Sequence, residues 1–556
     1  MLIKLSGGTV YDPANGVNGE TRDIHIKDGR ILATPVNNTR ADEEYDITGQ
    51  VVMAGAIDIH THIGGGKVNI ARIMLPEDHR GDEEARTALT RAGCGHAVPS
   101  TLTTGYRYVE MGYTSCFEPA MLPMNARQAH MEMADIPIVD KGAYAMLGSD
   151  DFLLRMMRDG AEQQAINDYI GWTINATQAL AVKIVNPGGI SAFKFNQRQL
   201  DLDEENQYYG VTPRQIIKTL AQGIQDLGVT HPIHIHGCNL GVPGNMQTTL
   251  DTISGAEGLP LHLTHIQFHS YGTEGDLHFS SGGAQIAESI NAHKNVSIDV
   301  GQVLFGQTIT ASGDTMAQHH NHQHANPNKW VVMDIECDAG CGLVPFKYSD
   351  KNFVNALQWA IGLEIFLLVD DPWRVFLTTD HPNGAPFTSY PHLIRLLMDR
   401  SFRNDMLATL DSRAAAMSTV GSIDREYSLY EIATMTRAAP ARSLGISDRG
   451  HLGAGAAADI TVYKEQANKE RMFEKPELVF KDGELVARKG KIVKVTSGAT
   501  HVVRPDYDRG IEKTLAKYFD QYHTVQMENV RVEDSEITDD GHGRINIHPC
   551  HQGGEA

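Results

Sequence analysis

Between residues about 51 and 445, short apolar runs of strand length alternate with longer amphipathic stretches. The short runs read LAVKIV, HPIHIHG, LHLTHIQF, NVSIDVG and RVFLTTD. The longer stretches, such as PRQIIKTLAQGIQDLG and SYPHLIRLLMDRSF, repeat their apolar residues with helical spacing. This alternation predicts a parallel sheet connected by helices, and about eight such units close a barrel. We therefore predict an α/β fold with a TIM-like (β/α)8 barrel over residues 53–445.

Hairpin-rich segments flank this region on both sides. KDGR at 27–30 and KDGE at 481–484 each separate two alternating apolar runs, and Asp-Gly in that position is a strong signal for a tight β-hairpin. Because chain ends often lie close together, we predict that residues 1–52 and 446–500 form one small β-sandwich domain. Residues 501–556 are predicted to contain one helix and a polar tail, without a domain assignment.

The composition is typical of a globular protein without a membrane span. Of the 556 residues 41% are hydrophobic, and the apolar stretch at 355–369 contains a glutamate and is too short to cross a bilayer. The N-terminus lacks the pattern of a signal peptide. The six cysteines are scattered, which favours a reducing compartment, and the single pair CDAGC at 337–341 does not predict a metal site. We expect a cytoplasmic protein.

The net charge limits the partners of the chain. It is −21, from 48 basic and 69 acidic residues, and no basic stripe offsets it, so we exclude a nucleic-acid-binding function. A substrate that carries acidic groups would be repelled unless the site itself is locally positive.

The stretch AGAIDIHTHIGGGKVN places His60 and His62 one residue apart at the end of a predicted strand. Side chains at i and i+2 of a strand point to the same face, so the two imidazoles converge. Two neutral imidazoles in this arrangement are natural metal ligands, usually for zinc. The pair alone is equally consistent with buried histidines that form hydrogen bonds to the backbone.

Four further residues end predicted strands and decide between these interpretations. Barrel enzymes carry their active residues at the C-terminal ends of the strands, and a lysine, two histidines and an aspartate occupy such positions: Lys183, His236, His265 and Asp380.

Some of these positions have rivals nearby. Lys194 in AFKFN competes with Lys183. His262 and His269 compete with His265, but His262 is expected on the opposite face of its strand. His234 shares a face with His236 but lies further down the strand, where we expect it in the core or behind a metal ligand.

The order HxH, Lys, His, His, Asp resembles the two-metal form of the amidohydrolase superfamily, and the flanking hairpins resemble its composite β-sandwich. One departure is Ala54-Gly55, where Pro-Gly is common before the HxH motif. The resemblance implies two divalent ions, with zinc as the expected metal, bridged by a carbamylated Lys183. It places His60, His62 and Asp380 on one ion and His236 and His265 on the other. Asp380 would transfer the proton of the attacking water to the leaving nitrogen.

Several loops resemble a narrower group. HTHIGGGKVNIARIMLPEDHR, KIVNPGG, HIHGCNLGVPGN, HIQFHSYGTEG, CDAGCGLVPFKY and TTDHPNGAPF resemble the A subunits of the bacterial formyltransferase/hydrolase complex and of formylmethanofuran dehydrogenase. This resemblance implies interconversion of an N-formylated methanofuran-type amine with formate and free amine. It also implies partners in a multisubunit complex, namely subunits like molybdopterin-type dehydrogenases together with a formyltransferase subunit.

Of the two complexes we favour the hydrolase, on the general appearance of the loops. The alternatives are the A subunit of formylmethanofuran dehydrogenase, a cyclic-amide hydrolase such as a dihydroorotase or dihydropyrimidinase, and a barrel that has lost activity and serves as a scaffold. The six ligand residues argue against the scaffold, because a scaffold has no need for them.

Carriers of this group have polyglutamate tails, so a cationic group near the site is expected. We predict that Lys67 binds a carboxylate and that Asn239 and Asn383 orient the substrate, although asparagine also favours turns for its own reasons. QHHNHQHANPNK at 318–329 is interpreted as a solvated loop in preference to a lid.

Overall fold

The computed structural model describes residues 1–33, 40–189, 200–275, 278–312, 342–538 and 543–550. Lys194, the histidine-rich stretch 318–329 and the CDAGC segment at 337–341 lie outside the described residues. The strands are, in chain order, β1 (Leu2–Asp12), β2 (Val17–Lys27), β3 (Arg30–Ile31), β4 (Glu43–Asp46), β5 (Gln50–Ala54), β6 (Ala56–Asp58), β7 (Glu83–Glu84), β8 (Gly93–Cys94), β9 (Tyr113–Met121), β10 (Asp140–Met146), β11 (Ala181–Val185), β12 (Ile233–His236), β13 (Leu261–Leu263), β14 (Tyr271–Gly272), β15 (Ser280–Ser281), β16 (Val296–Asp299), β17 (Gly306–Ser312), β18 (Gly342–Tyr348), β19 (Val375–Phe376), β20 (Ile460–Lys464), β21 (Leu478–Lys481), β22 (Glu484–Arg488), β23 (Lys491–Ile492), β24 (Ala499–Val503) and β25 (Arg544–His548).

Helices follow most of the barrel strands. They are α1 (Gly66–Met74), α2 (Pro76–Gly81), α3 (Thr101–Glu110), α4 (Ala126–Ala134), α5 (Asp151–Arg158), α6 (Gln163–Thr177), α7 (Pro213–Asp226), α8 (Asn245–Gly255), α9 (Gly283–Ala292), α10 (Phe353–Leu368), α11 (Tyr390–Met398), α12 (Arg400–Leu407), α13 (Ser412–Ala416), α14 (Leu429–Ala433), α15 (Ala439–Leu444), α16 (Lys469–Glu474), α17 (Ile511–Tyr522) and α18 (Asp534–Ile537).

Eight parallel strands form the curled sheet of the barrel. They pair in the order β6, β9, β10, β11, β12, β13, β16 and β19. A parallel bridge joins Thr61, just after the first strand β6, to His381, just after the last strand β19. The predicted TIM-like architecture is confirmed, and the strand-length runs of the sequence are its strands.

A mixed sheet built from both ends of the chain packs beside the barrel. Its strands run in the order β23, β22, β21, β20, β5, β1, β2 and β3, with β4 beside β1. The two ends meet where β5 pairs antiparallel with β20, with Val52 opposite Val462. Both Asp-Gly turns adopt positive φ angles at both residues, as at Asp482 (49°) and Gly483 (79°), which is the geometry that a two-residue hairpin requires.

A single residue separates this sheet from the barrel. Gly55 lies between β5 and β6, and a Cβ atom there would approach Thr114 Oγ1 to 2.1 Å. The close packing of β9 therefore requires a glycine at position 55. Ala54, the residue before it, is the last residue of β5.

The C-terminal part extends the barrel sheet. β24 pairs in parallel with the start of β10, and β25 pairs in parallel with β24. The predicted helix is present as α17, which packs on α6 through the buried Leu515 and Phe519.

The apolar stretch around 355–369 forms α10. This helix packs on α9, and its Trp359 and Phe366 are fully buried. Among the helices of the described residues, none is both long and apolar enough to cross a membrane.

Candidate metal centre

His60 and His62 follow β6 at the C-terminal end of the barrel and are both buried. Their Nε2 atoms lie 2.9 and 3.4 Å from the same oxygen, Asp380 Oδ1. Asp380 follows β19, the last strand, and the His62 amide donates to the His381 carbonyl across the barrel closure at 2.9 Å. The structure therefore brings the predicted pair and the predicted aspartate to one point.

A carboxylate contacts the second ring nitrogen, Nδ1, of each imidazole. His60 Nδ1 lies 3.1 Å from Asp299 Oδ2, and His62 Nδ1 lies 2.8 Å from Glu118 Oε1. An ionised carboxylate only accepts hydrogen bonds, so each Nδ1 donates to its acid and each Nε2 is the nitrogen that faces Asp380. The sequence analysis missed both acids. Their signal was a single acidic residue at the end of an apolar strand, in NVSIDVG and in CFEPAM.

Lys183 projects into the same space from β11. It is buried, and its Nζ donates to Thr264 Oγ1 at 3.1 Å. Burial lowers the pKa of Lys183 to about 7, although Asp299 and Asp380 act in the opposite direction. A large fraction of the amine is therefore neutral near pH 7, which is the form that can react as a nucleophile.

His236 ends β12 and His265 follows β13, so both lie at the same end of the barrel as His60. Their ring centroids are 4.5 Å apart, with the planes at 78°. His265 comes two residues after β13 with a φ of +34°, and Gly301 provides its space, because a Cβ atom there would lie 2.3 Å from His265 Cβ. His269, four residues later, joins the group.

The expectation for His262 is wrong. Its Nε2 lies 3.1 Å from Asp299 Oδ2, so the side chain points into the barrel together with His60. The strand alternation on which the expectation rested ends at Leu263, and the left-handed backbone at His265 turns that side chain inward as well.

His234 lies behind a predicted ligand, as expected. Its Nε2 is 3.0 Å from His60 Nδ1, and its Nδ1 is 2.9 Å from His231 Nε2. Burial lowers the pKa of both His231 and His234 well below the ordinary value, so these two imidazoles are neutral.

The described residues fit divalent metal ions. Three groups of donor atoms each lie within 4.8 Å of one another. In one of them, His60, His234 and Asp299, the atoms already contact each other as hydrogen-bond partners. The other two are the group of His60, His62 and Asp380 and the group of His236, His265 and His269. Both of these groups contain buried polar atoms that have no hydrogen-bond partner within the described part of the chain, including Asp380 Oδ1 and His265 Nδ1. Unpartnered buried polar atoms are costly, and neutral imidazoles with a carboxylate are the donors that zinc and similar ions prefer.

The comparisons with known proteins agree with this geometry. A model described as the Amidohydrolase family matches residues 43–493. The chain belongs to the amidohydrolase family.

Two relatives of this amidohydrolase align over nearly the whole chain. The A subunit of the formyltransferase/hydrolase complex Fhc of Methylorubrum extorquens is 41% identical over 540 residues, covering 96% of this chain and 97% of the relative. Protein FwdA of Methanocaldococcus jannaschii is 41% identical over 553 residues, covering 95% of this chain and 96% of the relative.

One solved structure is similar throughout. In the crystal structure of the formyltransferase/hydrolase complex from Methylorubrum extorquens with methylofuran, one chain superimposes on this amidohydrolase with a TM-score of 0.93. The two are 40% identical, and the match covers 99% of this chain and 100% of that chain.

Lys67 lies at the mouth of the amidohydrolase barrel. It is the second residue of α1 and lines a small recess with Met121, Leu122 and Met146. Its charge lowers the pKa of Lys183, in the same direction as burial and against Asp299 and Asp380, so the ammonium group is near the metal centre. No hydrogen bond or ion pair of Lys67 is found among the described residues.

The two predicted asparagines occupy turns. Asn239 has a φ of +59°, and its side-chain amide donates to Asp201 Oδ1 at 2.7 Å. The backbone amide of Asn383 donates to the Asp380 carbonyl at 2.7 Å, and the backbone carbonyl of Asn383 accepts from Tyr348 Oη at 3.0 Å. The positive φ of Asn239 and the bond from Asn383 to Asp380 are turn chemistry, whereas the contacts with Asp201 and Tyr348 join separate segments of the chain. A role of either residue toward substrate stays a prediction.

Proposed function

We propose that this protein is the hydrolytic A subunit of a formyltransferase/hydrolase complex, which cleaves an N-formylated furan-type amine to formate and free amine. The observation that carries the proposal is the convergence of His60, His62 and Asp380 with Lys183 and the His236–His265 pair. Identity of 41% over almost the full length of a relative from such a complex supports it.

We propose zinc as the native metal and a carbamate on Lys183 as the bridging ligand. His60, His62 and Asp380 would hold one ion, and His236 and His265 the other. When bound, the ions would supply a water of lowered pKa and polarise the formyl oxygen. The lowered pKa of Lys183, to about 7, supports the carbamate, because only a neutral amine captures carbon dioxide.

Asp380 is the proposed proton carrier. Burial alone would raise its pKa, but the neighbouring His60 and His265 hold the pKa well below the usual range, so the side chain is an ionised base. It accepts a proton from the attacking water as the new C–O bond forms. It then gives this proton to the amine nitrogen as the C–N bond breaks, leaving formate and a free amine.

The mouth of the barrel suits a formamide whose amine carries an acidic tail. Met121, Leu122 and Met146 offer an apolar wall, and Lys67 offers a positive charge beside it. The net charge of the chain is −21, so a local cation is needed to bind an anionic carrier. We propose that Lys67 binds a carboxylate of this tail, in a cytoplasmic complex with a formyltransferase subunit.

The second candidate is the A subunit of formylmethanofuran dehydrogenase. The near-complete alignment with Protein FwdA favours it as strongly in identity as the first candidate. The metal ligands do not distinguish the two candidates, because both would interconvert the same N-formyl amine with formate and free amine.

Purification of the complex from its own host tests the proposal. We expect about two metal ions per chain, release of formate from an N-formyl aminomethylfuran, and a formyltransferase subunit identified by mass spectrometry. A molybdopterin-containing subunit in its place would select the dehydrogenase. Less than about half a metal ion per chain, with no formate released, would make the barrel a scaffold. Preferential hydrolysis of free cyclic amides would make it a dihydroorotase-like enzyme.

A further inference from the structure

His269 is an imidazole at the site that the proposed mechanism does not use. It ends the short 3₁₀ turn Ile266–His269, which directly follows His265, and only 2% of its surface is exposed. The side chains of His265 and His269, four residues apart, both point into the same interior space. His269 therefore reaches the site from the same loop as a proposed ligand.

The three imidazoles of this side form a compact cluster. The His269 ring stacks beside that of His265 with centroids 5.3 Å apart and planes at 24°. The His236 ring stands edge-on to both, with its centroid 5.2 Å from that of His269 and the planes at 78°. One ring nitrogen from each histidine lies within 4.8 Å of the others.

Neither ring nitrogen of His269 has a hydrogen-bond partner of good geometry among the described residues. The backbone of Cys238 lies close enough to influence the ring but does not meet that geometry. Another buried histidine, His130, differs, since its Nε2 contacts the Thr177 carbonyl at 2.8 Å. Leaving a buried polar group unsatisfied costs on the order of 1–3 kcal/mol. An ion bound to His269 would explain why this buried imidazole lies beside two candidate metal ligands without a hydrogen-bond partner of its own among the described residues.

We propose that His269 is a third imidazole ligand of the metal ion held by His236 and His265. This inference rests on the proposed two-metal hydrolase and adds one protein ligand to the set that the family resemblance implies. The ion would then have three neutral imidazoles, whereas the ion at His60 and His62 shares the negative charge of Asp380. The two sites should therefore differ in affinity and in the electrophilicity of their ions.

Metal binding to variants of the whole complex tests the proposal without relying on activity. In a zinc-buffered solution that fills both sites of the unaltered protein, His269→Ala should retain about one ion per chain. We expect a loss of affinity at the second site of at least roughly 10–100-fold, the scale seen when a metal ligand loses its supporting partner. His293→Ala is the matched control, because the bonds of this imidazole among the described residues go only to Ser289, and the variant should leave both ions bound.

A cysteine at this position gives a direct signature. The cobalt-loaded His269→Cys variant should show a thiolate-to-cobalt charge-transfer band, which a merely structural histidine position would not produce. This variant also keeps the test informative if His269→Ala does not fold. Two ions bound with unchanged affinity in His269→Ala, together with no thiolate band in His269→Cys, would overturn the inference.

The outcomes separate this inference from the proposed function. If the unaltered complex binds no metal, the two-metal hydrolase itself fails. If the unaltered complex binds two ions and the His269 variants do so equally well, only the third ligand fails. A raised KM for the N-formyl amine at full metal occupancy would then make His269 a substrate contact.

Discussion

At the scale of single residues, the site depends on side chains whose pKa values differ from those of the free amino acids. Asp299 is fully buried, yet His60 and His262 outweigh burial and hold its pKa well below the usual value. Lys183 shows the opposite behaviour, because burial outweighs two nearby carboxylates and lowers its pKa to about 7. Anionic aspartates and a neutral amine are the forms that metal binding and proton transfer require.

Replacement of Asp380 tests the proton transfer. Asp380→Asn should lower the turnover of an N-formyl aminomethylfuran by about two or more orders of magnitude, the scale of general acid–base groups, because an amide does not accept the proton of water. Most of the metal should remain, since His60 and His62 are unchanged. Initial rates and metal content per chain measure both effects. Asp370→Asn, at an exposed position, should have no effect, and unchanged hydrolysis by Asp380→Asn would place proton transfer elsewhere.

Replacement of Lys183 tests the carbamate. Lys183→Ala should lose activity, and short carboxylic acids should restore part of it, because they supply a carboxylate in the space that the side chain leaves. Rates with and without added acetate or propionate measure the rescue. The exposed pair Lys218–Glu257 provides the control variant Lys218→Ala, which should be fully active without added acid. A fully active Lys183→Ala would exclude a bridging carbamate.

At the scale of elements, each proposed ligand lies within four residues of the C-terminal end of a barrel strand, except His269, which lies at the end of the following turn. At the opposite end of the barrel, one buried carboxylate contacts groups from several elements. There Asp140, the first residue of β10, accepts from Arg449 Nε at 2.8 Å and lies 3.1 Å from Lys481 Nζ. It also accepts from the amide of Ala499 at 2.7 Å. One buried carboxylate therefore joins the barrel, the mixed sheet and the start of β24.

Loss of this carboxylate should destabilise the fold. Asp140→Asn should lower the free energy of unfolding by about 3–5 kcal/mol, because Arg449 and Lys481 lose a buried charge partner. Burial opposes the ionised form, but Lys481 and Arg449 hold the pKa of Asp140 well below its usual value. The stabilisation is therefore complete above about pH 4 and is lost as the pH falls further. Urea unfolding at pH 7 and at lower pH measures it.

The exposed pair Lys4–Asp23 is the matched control for this change. Its atoms are 2.9 Å apart and the Asp23 side chain is 43% exposed, so Asp23→Asn should cost no more than about 1 kcal/mol. Equal losses in the two variants would show that the junction of β10, the mixed sheet and β24 does not depend on the buried charge.

At the scale of the whole molecule, the metal centre connects distant parts of the chain. His60 and Asp299 are 239 residues apart in sequence, and Asp380 closes the barrel next to the first strand. Ions bound between such residues favour the folded chain, since the separated ligands of an unfolded chain hold them poorly.

Removal of the metal should lower the thermal midpoint of unfolding. An ion present at about a hundred times its dissociation constant stabilises the folded state by about 2.7 kcal/mol. Differential scanning calorimetry of the complex with and without a chelator measures the shift, which should reverse when zinc is restored. A variant with both His236→Ala and His265→Ala should respond less to the chelator. Equal midpoints for the untreated and chelated protein would contradict a structural contribution of the metals.

The sequence by itself determined the features that arise from local pattern. Period-two alternation and Asp-Gly turns predicted the hairpins of the mixed sheet, and alternating strand and helix periodicity predicted the barrel. The spacing of His60 and His62 predicted their convergence, because two residues along a strand share a face whatever lies around them. Strand ends likewise predicted where Lys183, His236 and Asp380 would lie.

Only the tertiary structure decided which distant side chains meet. Asp299 and Glu118 contact the imidazoles from other strands, and their sequence distance carries no periodic signal. His262 and His265 both face the interior because the left-handed backbone at His265 interrupts the strand pattern. The addition of β24 and β25 to the start of β10 was hidden for a related reason, since strand pairing depends on packing between remote segments and not on the residues of either segment alone.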